Sequence, residues 1–242
     1  MTKQLLFYGK AVPVMESRHA DYAVNRGDHF DFAAAVNAVP VVVSEFAKLS
    51  REYPIAFTES GGQYQPVALC GLRDNENLFV NNEGHWAADY IPAFVRRYPF
   101  VFHKKDGDEF VLCIDEGYEG LNQSGEGHKL FENGSEPSEY LKKMLGFTTS
   151  YQKDVQTTAA FSESLKAHDI VRPAQISFPM PDGQQAATRG LHMVDRELLE
   201  NLPGDVLEAM AKSGELAHVY AHMLSLQNVD LLGAKLRSRM SH

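Results

Sequence analysis

The sequence predicts an α+β fold, an antiparallel sheet of hairpins packed by helices, with a helical C-terminal third. Three observations predict it. Turn clusters at Ser60-Gly61-Gly62, Asp106-Gly107 and Pro181-Asp182-Gly183 each separate two short runs rich in β-branched and aromatic residues, the pattern of a hairpin. Beyond residue 136 apolar residues recur at helical spacing. Between these regions, Gly84 to Phe100 concentrates the only Trp, two Tyr, two Phe and the pair Arg96-Arg97. Such rings bury roughly 150–250 Å² each, so this stretch reads as the hub of the core.

In chain order, Leu5 to Tyr8 and Ala11 to Val14 read as strand or extended segments, and the polar stretch Asp21 to Asp31 reads as a loop. The run from Phe32 to Val43 suits either a buried strand or a helix begun at Pro40. Glu45 to Leu49 favours helix, with Val42, Val43, Phe46 and Leu49 on one side and Pro54 ending it. Ile55-Ala56-Phe57 and Pro66 to Leu69 form the first hairpin, Asn77 to Val80 a further strand, and Phe100 to Phe102 with Phe110 to Ile114 the second hairpin. Residues 53–115 are therefore expected to make one antiparallel sheet. Pro92 fits the first turn of a short helix that Pro99 stops. Trp86, Tyr90, Phe94 and Tyr98, four residues apart, would then share one flank. Gly117 to Gly134, with five glycines, reads as a long surface loop.

Helices are expected over Pro137 to Leu145, about Thr149 to His168, Val206 to Lys212 stopped at Gly214, and Leu216 to about Leu236. Gly71-Leu72 and Gly190-Leu191 each follow a hairpin and precede helix, an echo with fewer identities than a duplication should leave. The whole chain, 1–242, is read as a single α+β domain, with a sub-division into a sheet-rich part, 1–135, and a helix-rich part, 136–242.

Size and composition bound the function. A chain of 242 residues buries roughly 70% of its unfolded surface and needs no staple. A content of 44% hydrophobic and 23% charged residues excludes a disordered chain. The net charge of −9 and pI near 5.6 argue against nucleic acid and anionic lipid as partners. Cys70 and Cys113 have no metal-ligand spacing and fall in apolar runs, which reads as buried thiols in a reducing compartment. The apolar run near the N-terminus is too short for a secretory signal, and no stretch reaches the ~18 apolar residues of a membrane span. The expected location is cytoplasmic.

Few residue patterns carry chemistry. His218 and His222 stand four apart on a predicted helix, where two imidazoles can share a metal ion. The segment His-Val-Tyr-Ala-His lacks the Glu of a zincin, and Leu216, Val219, Met223 and Leu226 are expected on the opposite, apolar face. Arg96-Arg97 beside Tyr98 could grip a carboxylate or phosphate, but adjacent residues diverge by 100° on a helix. One of the two is expected to pair with an acid such as Asp115, which closes a strand before the Gly-rich loop, and the other to be exposed. Gly125-Glu126-Gly127-His128 lacks the context of a phosphate loop, and no Gly-x-Ser-x-Gly elbow exists. No catalytic residue is assigned.

One ordered set of short motifs spans nearly the whole chain. It runs through Ala11-Val12-Pro13, Glu45-Phe46, Tyr53-Pro54-Ile55-Ala56-Phe57, Pro66 to Leu69, Gly71-Leu72 and Asn77 to Val80. The most specific block follows, Tyr90-Ile91-Pro92-Ala93 with Arg96-Arg97-Tyr98-Pro99-Phe100. Leu112 to Asp115, Leu130-Phe131, Thr158-Ala159, Gly190-Leu191, Val194-Asp195 and Tyr220-Ala221-His222 complete it, and the order of these motifs resembles the SapC-like family. The resemblance implies a link to bacterial surface-layer protein export, the source of the family's name, and brings no established reaction or catalytic residue.

The expectation is a non-catalytic accessory or binding protein, without cofactor, for an exported or surface-layer client or a secretion component. A small ligand, if bound, would meet Trp86, Tyr90, Arg96, Arg97, Tyr98 and Asp115. The alternatives are a metal-dependent enzyme built on His218 and His222, or a small-molecule or peptide sensor using the aromatic cluster. Nucleic-acid binding and membrane insertion are not expected, and self-association stays open.

Overall fold

A computed structural model describes residues 6–105, 109–133, 135–179 and 185–240. In chain order the elements are β1 (Ala11–Pro13), α1 (Glu16–His19), β2 (Ala23–Val24), a 3₁₀ turn (Asp31–Ala33), β3 (Ala38–Pro40), a second 3₁₀ turn (Val43–Glu45) and α2 (Phe46–Leu49). Then come β4 (Ile55–Ser60), β5 (Gln63–Leu69), α3 (Ala93–Arg96), β6 (Phe100–Lys104), β7 (Phe110–Asp115), β8 (Leu121–Asn122), β9 (His128–Lys129), β10 (Phe131–Glu132) and β11 (Glu136–Pro137). The remainder is α4 (Glu139–Ala167), β12 (Val171–Pro179), β13 (Gln185–Val194), α5 (Arg196–Glu200), α6 (Gly204–Ser213), α7 (Glu215–Ser225), a 3₁₀ turn (Leu226–Asn228) and α8 (Val229–Met240). The α+β class with antiparallel sheets and a helical C-terminal segment is as expected.

These elements form two compact units, each assembled from two separate stretches: Met1–His29 with Phe94–Lys153, and Phe30–Ala93 with Asp154–His242. The units interleave along the chain, unlike a sequential division near residue 135. The strands of residues 53–115 accordingly fall into two sheets, not one.

In the first unit β7 is flanked by β1 and β6, with Val12 and Phe100 both facing Ile114 across the ladders. The buried cluster is Val24, Phe100, Ile114, Leu130, Phe131, Leu141 and Met144. The Gly-rich stretch after Gly117 is not a plain loop. Its strands β8 and β9 flank β2 on both sides, because Ala23 and Val24 are fully buried and need their backbone groups paired. Leu6 to Tyr8 is not a strand.

In the second unit one antiparallel sheet has the order β12-β13-β4-β5-β3. The Ser60-Gly61-Gly62 hairpin joins β4 and β5 as expected, with positive φ at both glycines. Val42, Val43, Phe46 and Leu49 are all buried, as their spacing implies. The turn residues Asp106-Gly107 and Pro181-Asp182-Gly183 lie outside the described residues, and the strands on both sides of each pair as hairpins. Asn77 to Val80 is not a strand; Val80 makes a single bridge to Trp86. Gly190 lies within β13 whereas Gly71 lies outside any strand, so the two Gly-Leu pairs occupy unlike positions.

Two local expectations need correction. The short helix after Pro92 is one turn, Ala93–Arg96, so Trp86 and Tyr90 are not on it and the four-residue aromatic spacing does not define a flank. Gly146 does not divide the helix before it from the helix after it: α4 runs unbroken over 29 residues. A helical Gly costs about 1 kcal/mol relative to Ala, too little to end a helix with good formers on both sides.

Two glycines of the Gly-rich stretch give a paired prediction. Gly127 has φ +88°, and an added Cβ would lie 2.3 Å from the Val24 carbonyl oxygen; Gly125 has φ +84° with open space around it. Gly127→Ala should destabilise the protein by about 3 kcal/mol, and Gly125→Ala by about 1 kcal/mol. Urea titrations of both variants check the difference, and equal losses would contradict the packing described.

Candidate functional site

The six residues expected to meet a ligand are divided. Arg96, Arg97, Tyr98 and Asp115 belong to the first unit, Trp86 and Tyr90 to the second.

In the first unit Asp115 ends β7 with its carboxylate 1% exposed. One oxygen accepts from the Lys10 and Gly117 amides at 2.8 and 3.0 Å, the other from the Gly9 amide at 2.9 Å and the Tyr98 hydroxyl at 3.2 Å. Four donors satisfy the charge and tie the segment before β1 to the end of β7. The Arg97 guanidinium is buried beside the rings of Phe94 (4.3 Å), Tyr151 (5.0 Å) and Tyr8 (5.9 Å), a desolvated cation against ring faces. Arg96, half-buried, lies over Phe147 at 5.1 Å. The guanidiniums therefore diverge, as adjacent positions must, and neither is the exposed partner expected of one of them. Tyr8 donates to the Phe100 carbonyl at 2.6 Å. Burial pushes the phenols of Tyr8 and Tyr98 up, and for Tyr98 the Asp115 charge adds to it.

Beside this lies an ionic cluster missed in the sequence. Glu116 pairs with Lys10 at 2.8 Å and with Arg18, and the buried His19 places Nε2 3.5 Å from it. Hydrogen bonds from Lys10 and Arg18 hold the Glu116 carboxyl down at about 2.

In the second unit the aromatic residues are anchored by acids and a phenol. Tyr53, fully buried, accepts from Trp86 Nε1 at 2.8 Å and donates to the Tyr90 carbonyl at 2.6 Å. Glu45 accepts from the Tyr90 hydroxyl at 2.9 Å, the Ala93 amide at 2.6 Å and the Val42 amide at 3.3 Å. Glu52 takes the amides of Asp89 and Tyr90. The signal for Glu45 was available: it is the one acid within the apolar run Val41 to Leu49.

The histidine pair takes a different role from the one its spacing suggests. His222 is fully buried on the inner side of α7, where Nε2 accepts from the Val194 amide at 3.1 Å and Nδ1 stands 2.9 Å from the Ile55 carbonyl oxygen. Nδ1 therefore carries the proton, and both ring nitrogens are occupied by backbone groups of β13 and β4. Ser225 and Asn228 continue this seam, Ser225 accepting from the Ile55 amide and Asn228 donating to the carbonyls of Ser50 and Tyr53. The polar residues of the helix thus turn inward, because the strand ends offer unpaired backbone groups. His218 sits edge-on to Phe46 and Phe161 at 6.0 and 5.7 Å. Among the described residues no group of three or more His, Cys, Asp and Glu is placed to share a metal ion.

The polar concavity lies elsewhere in the first unit. A recess of about 720 Å³ is lined by Asp21, Gln123, Ser124, Lys129, Phe131 and Asn133, with Ala20 and Gly125. Among the described residues the side chains of Asp21, Gln123, Lys129 and Asn133 make no hydrogen bond. No sequence pattern marked them, because they come from a helix exit and two strand connections brought together by the pairing around β2. Cys70 and Cys113 are both buried free thiols, and burial pushes both up.

Burial also lowers His222 from 6.5 to about 4. A depressed imidazole favours the folded state fully above 6.5, and that contribution is lost as pH falls toward 4. Folding stability should therefore drop by on the order of 3 kcal/mol between pH 6.5 and 4. His222→Ala should lower stability by roughly 3–5 kcal/mol at pH 7.5, leaving two backbone groups unpaired, and flatten this slope. Denaturation at a series of pH values checks both.

No curated protein and no solved structure matches the chain. No helix among the described residues is long and apolar enough to cross a membrane. A family model described as SapC matches residues 14–232, nearly the full length, and the chain belongs to the SapC family.

Proposed function

We propose that the protein is a non-catalytic accessory or binding protein, acting in the cytoplasm on an exported or surface-layer client or on a component of its secretion machinery. The observation that carries the reading is the commitment of three buried ionisable groups, Asp115, Glu45 and His222. Asp115 accepts four hydrogen bonds, Glu45 accepts from the Tyr90 hydroxyl and the Ala93 and Val42 amides, and both nitrogens of His222 are bonded to backbone. A general acid or base needs a lone pair or proton directed at its substrate, and these groups direct theirs at the fold.

Recognition is assigned to the recess around Asp21 and Lys129. It is open and polar, offers both signs of charge and two amides, and suits a polar peptide segment whose carbonyls and side chains supply the matching groups. The family resemblance supplies the link to export, and the net charge of −9 supports a soluble partner over nucleic acid.

Immobilised protein incubated with lysate of its native cell should retain a secretion component or a surface protein. The double variant Asp21→Lys, Lys129→Glu, exposed at both positions, should fold normally and retain it at least tenfold less, about 1.4 kcal/mol of binding. Repeated recovery of no such protein would count against the accessory role, and undiminished recovery by the double variant would remove the recess from it.

A further inference from the structure

The recess assigned above to recognition holds two opposite charges that do not pair with each other. Ala23 stands opposite Lys129 across the β2–β9 ladder, and one position along it the Leu130 amide donates to the Tyr22 carbonyl at 2.9 Å. Asp21 comes one residue before Tyr22, so it is the diagonal neighbour of Lys129, a separation of roughly 7–8 Å. Both side chains are exposed and line the recess, and among the described residues neither makes a hydrogen bond or an ion pair. The side-chain amides of Gln123 and Asn133 line it too and are equally unengaged, each with N–H donors and an acceptor carbonyl to offer. One wall is held in place by Asn122. Its side chain donates to the Gly120 and Glu126 carbonyls at 3.1 and 3.0 Å, and accepts from the Ser124 hydroxyl at 2.9 Å and the Glu126 amide at 3.1 Å. A wall ordered in advance reduces the entropy lost on binding.

We propose, on the reading that this recess recognises a polar peptide, that its occupant is an extended segment in which an acidic and a basic residue stand two apart. The spacing follows from strand geometry. On an extended chain, residues two apart point to one side and lie roughly 6.6–6.8 Å from each other, whereas adjacent residues point to opposite sides. The first separation is close to that of Asp21 and Lys129. The basic side chain meets Asp21 and the acidic one meets Lys129, a pairing that a segment with two like charges cannot make. The amides of Gln123 and Asn133 select the backbone form: an extended segment has N–H and C=O groups free to meet them, and a helix engages all but its terminal ones internally. The volume of about 720 Å³ falls within the roughly 300–1,000 Å³ of sites that enclose a small ligand. Ion pairs at an exposed site contribute little each, so a five-residue segment should bind with a Kd on the order of 1 mM.

Titration of the isotope-labelled full chain with terminally blocked five-residue peptides, read at the amides of Ser124, Gly125 and Leu130, tests the pairing. The better binder of Ser-Lys-Ser-Glu-Ser and its reverse, Ser-Glu-Ser-Lys-Ser, should bind at least about threefold tighter than Ser-Lys-Glu-Ser-Ser, which has the same composition with its charges adjacent. Asp21→Lys should shift the preference to Ser-Glu-Ser-Glu-Ser, and Lys129→Glu to Ser-Lys-Ser-Lys-Ser, each by at least about threefold. Both positions are exposed, so both variants should keep the melting temperature of the parent chain. Equal binding of the spaced and adjacent peptides would overturn the proposal, as would unchanged preferences in the variants or no amide shift with peptide at about 10 mM. Equal binding together with diminished client recovery by the double variant sinks the spacing and leaves the recess as a recognition site. Undiminished client recovery sinks the recess itself.

Discussion

A carboxylate with no access to water must be met by donors, and in this protein that requirement organises backbone that secondary structure alone leaves open. Asp115 gathers two amides from the segment before β1, one from the turn after β7 and the Tyr98 hydroxyl. Residues more than one hundred positions apart are joined at one side chain. Hydrogen bonds to a charged group contribute about 1.5–3 kcal/mol each, and removing the charge leaves the donors facing nothing. The second unit solves the same problem with different chemistry. Glu45 secures the approach to α3, and His222, Ser225 and Asn228 stitch the closing helix to the start of β4.

Much of the local structure was legible because local rules governed it. The Ser60-Gly61-Gly62 turn needs positive φ and has two glycines to supply it. Gly214, at φ +85°, ends α6 where the sequence places a stop. Val42, Val43, Phe46 and Leu49 share a buried side because three- and four-residue spacing is sufficient for that.

What was not legible depended on distant partners. The aromatic block was read as a helical flank, but Trp86 and Tyr90 are held by Tyr53, Glu45 and Glu52, contacts that no periodicity within the block encodes. The histidine spacing was read as ligand geometry, since the sequence does not show that β4 and β13 end with backbone groups in need of partners. The interleaving of the two units was invisible for the same reason: strands close in sequence were assigned to one sheet, whereas β6 pairs with β7 and β7 with β1, and neither β6 nor β7 pairs with β4 or β5. The recess around Asp21 and Lys129 exists only once β8 and β9 have closed on β2.

These observations separate two populations of polar side chain. Asp115, Glu45, His222, Ser225 and Asn228 hold backbone, and Asp21, Gln123, Lys129 and Asn133 around the recess make no hydrogen bond among the described residues. The most direct measurement is hydrogen exchange at the Gly9, Lys10 and Gly117 amides in the parent chain and in Asp115→Asn. If the carboxylate is a structural clasp, these three amides lose protection together in the variant while those of the β4–β5 ladder keep theirs. Equal protection at the three amides in both proteins would contradict the account and return Asp115 to the candidates for chemistry.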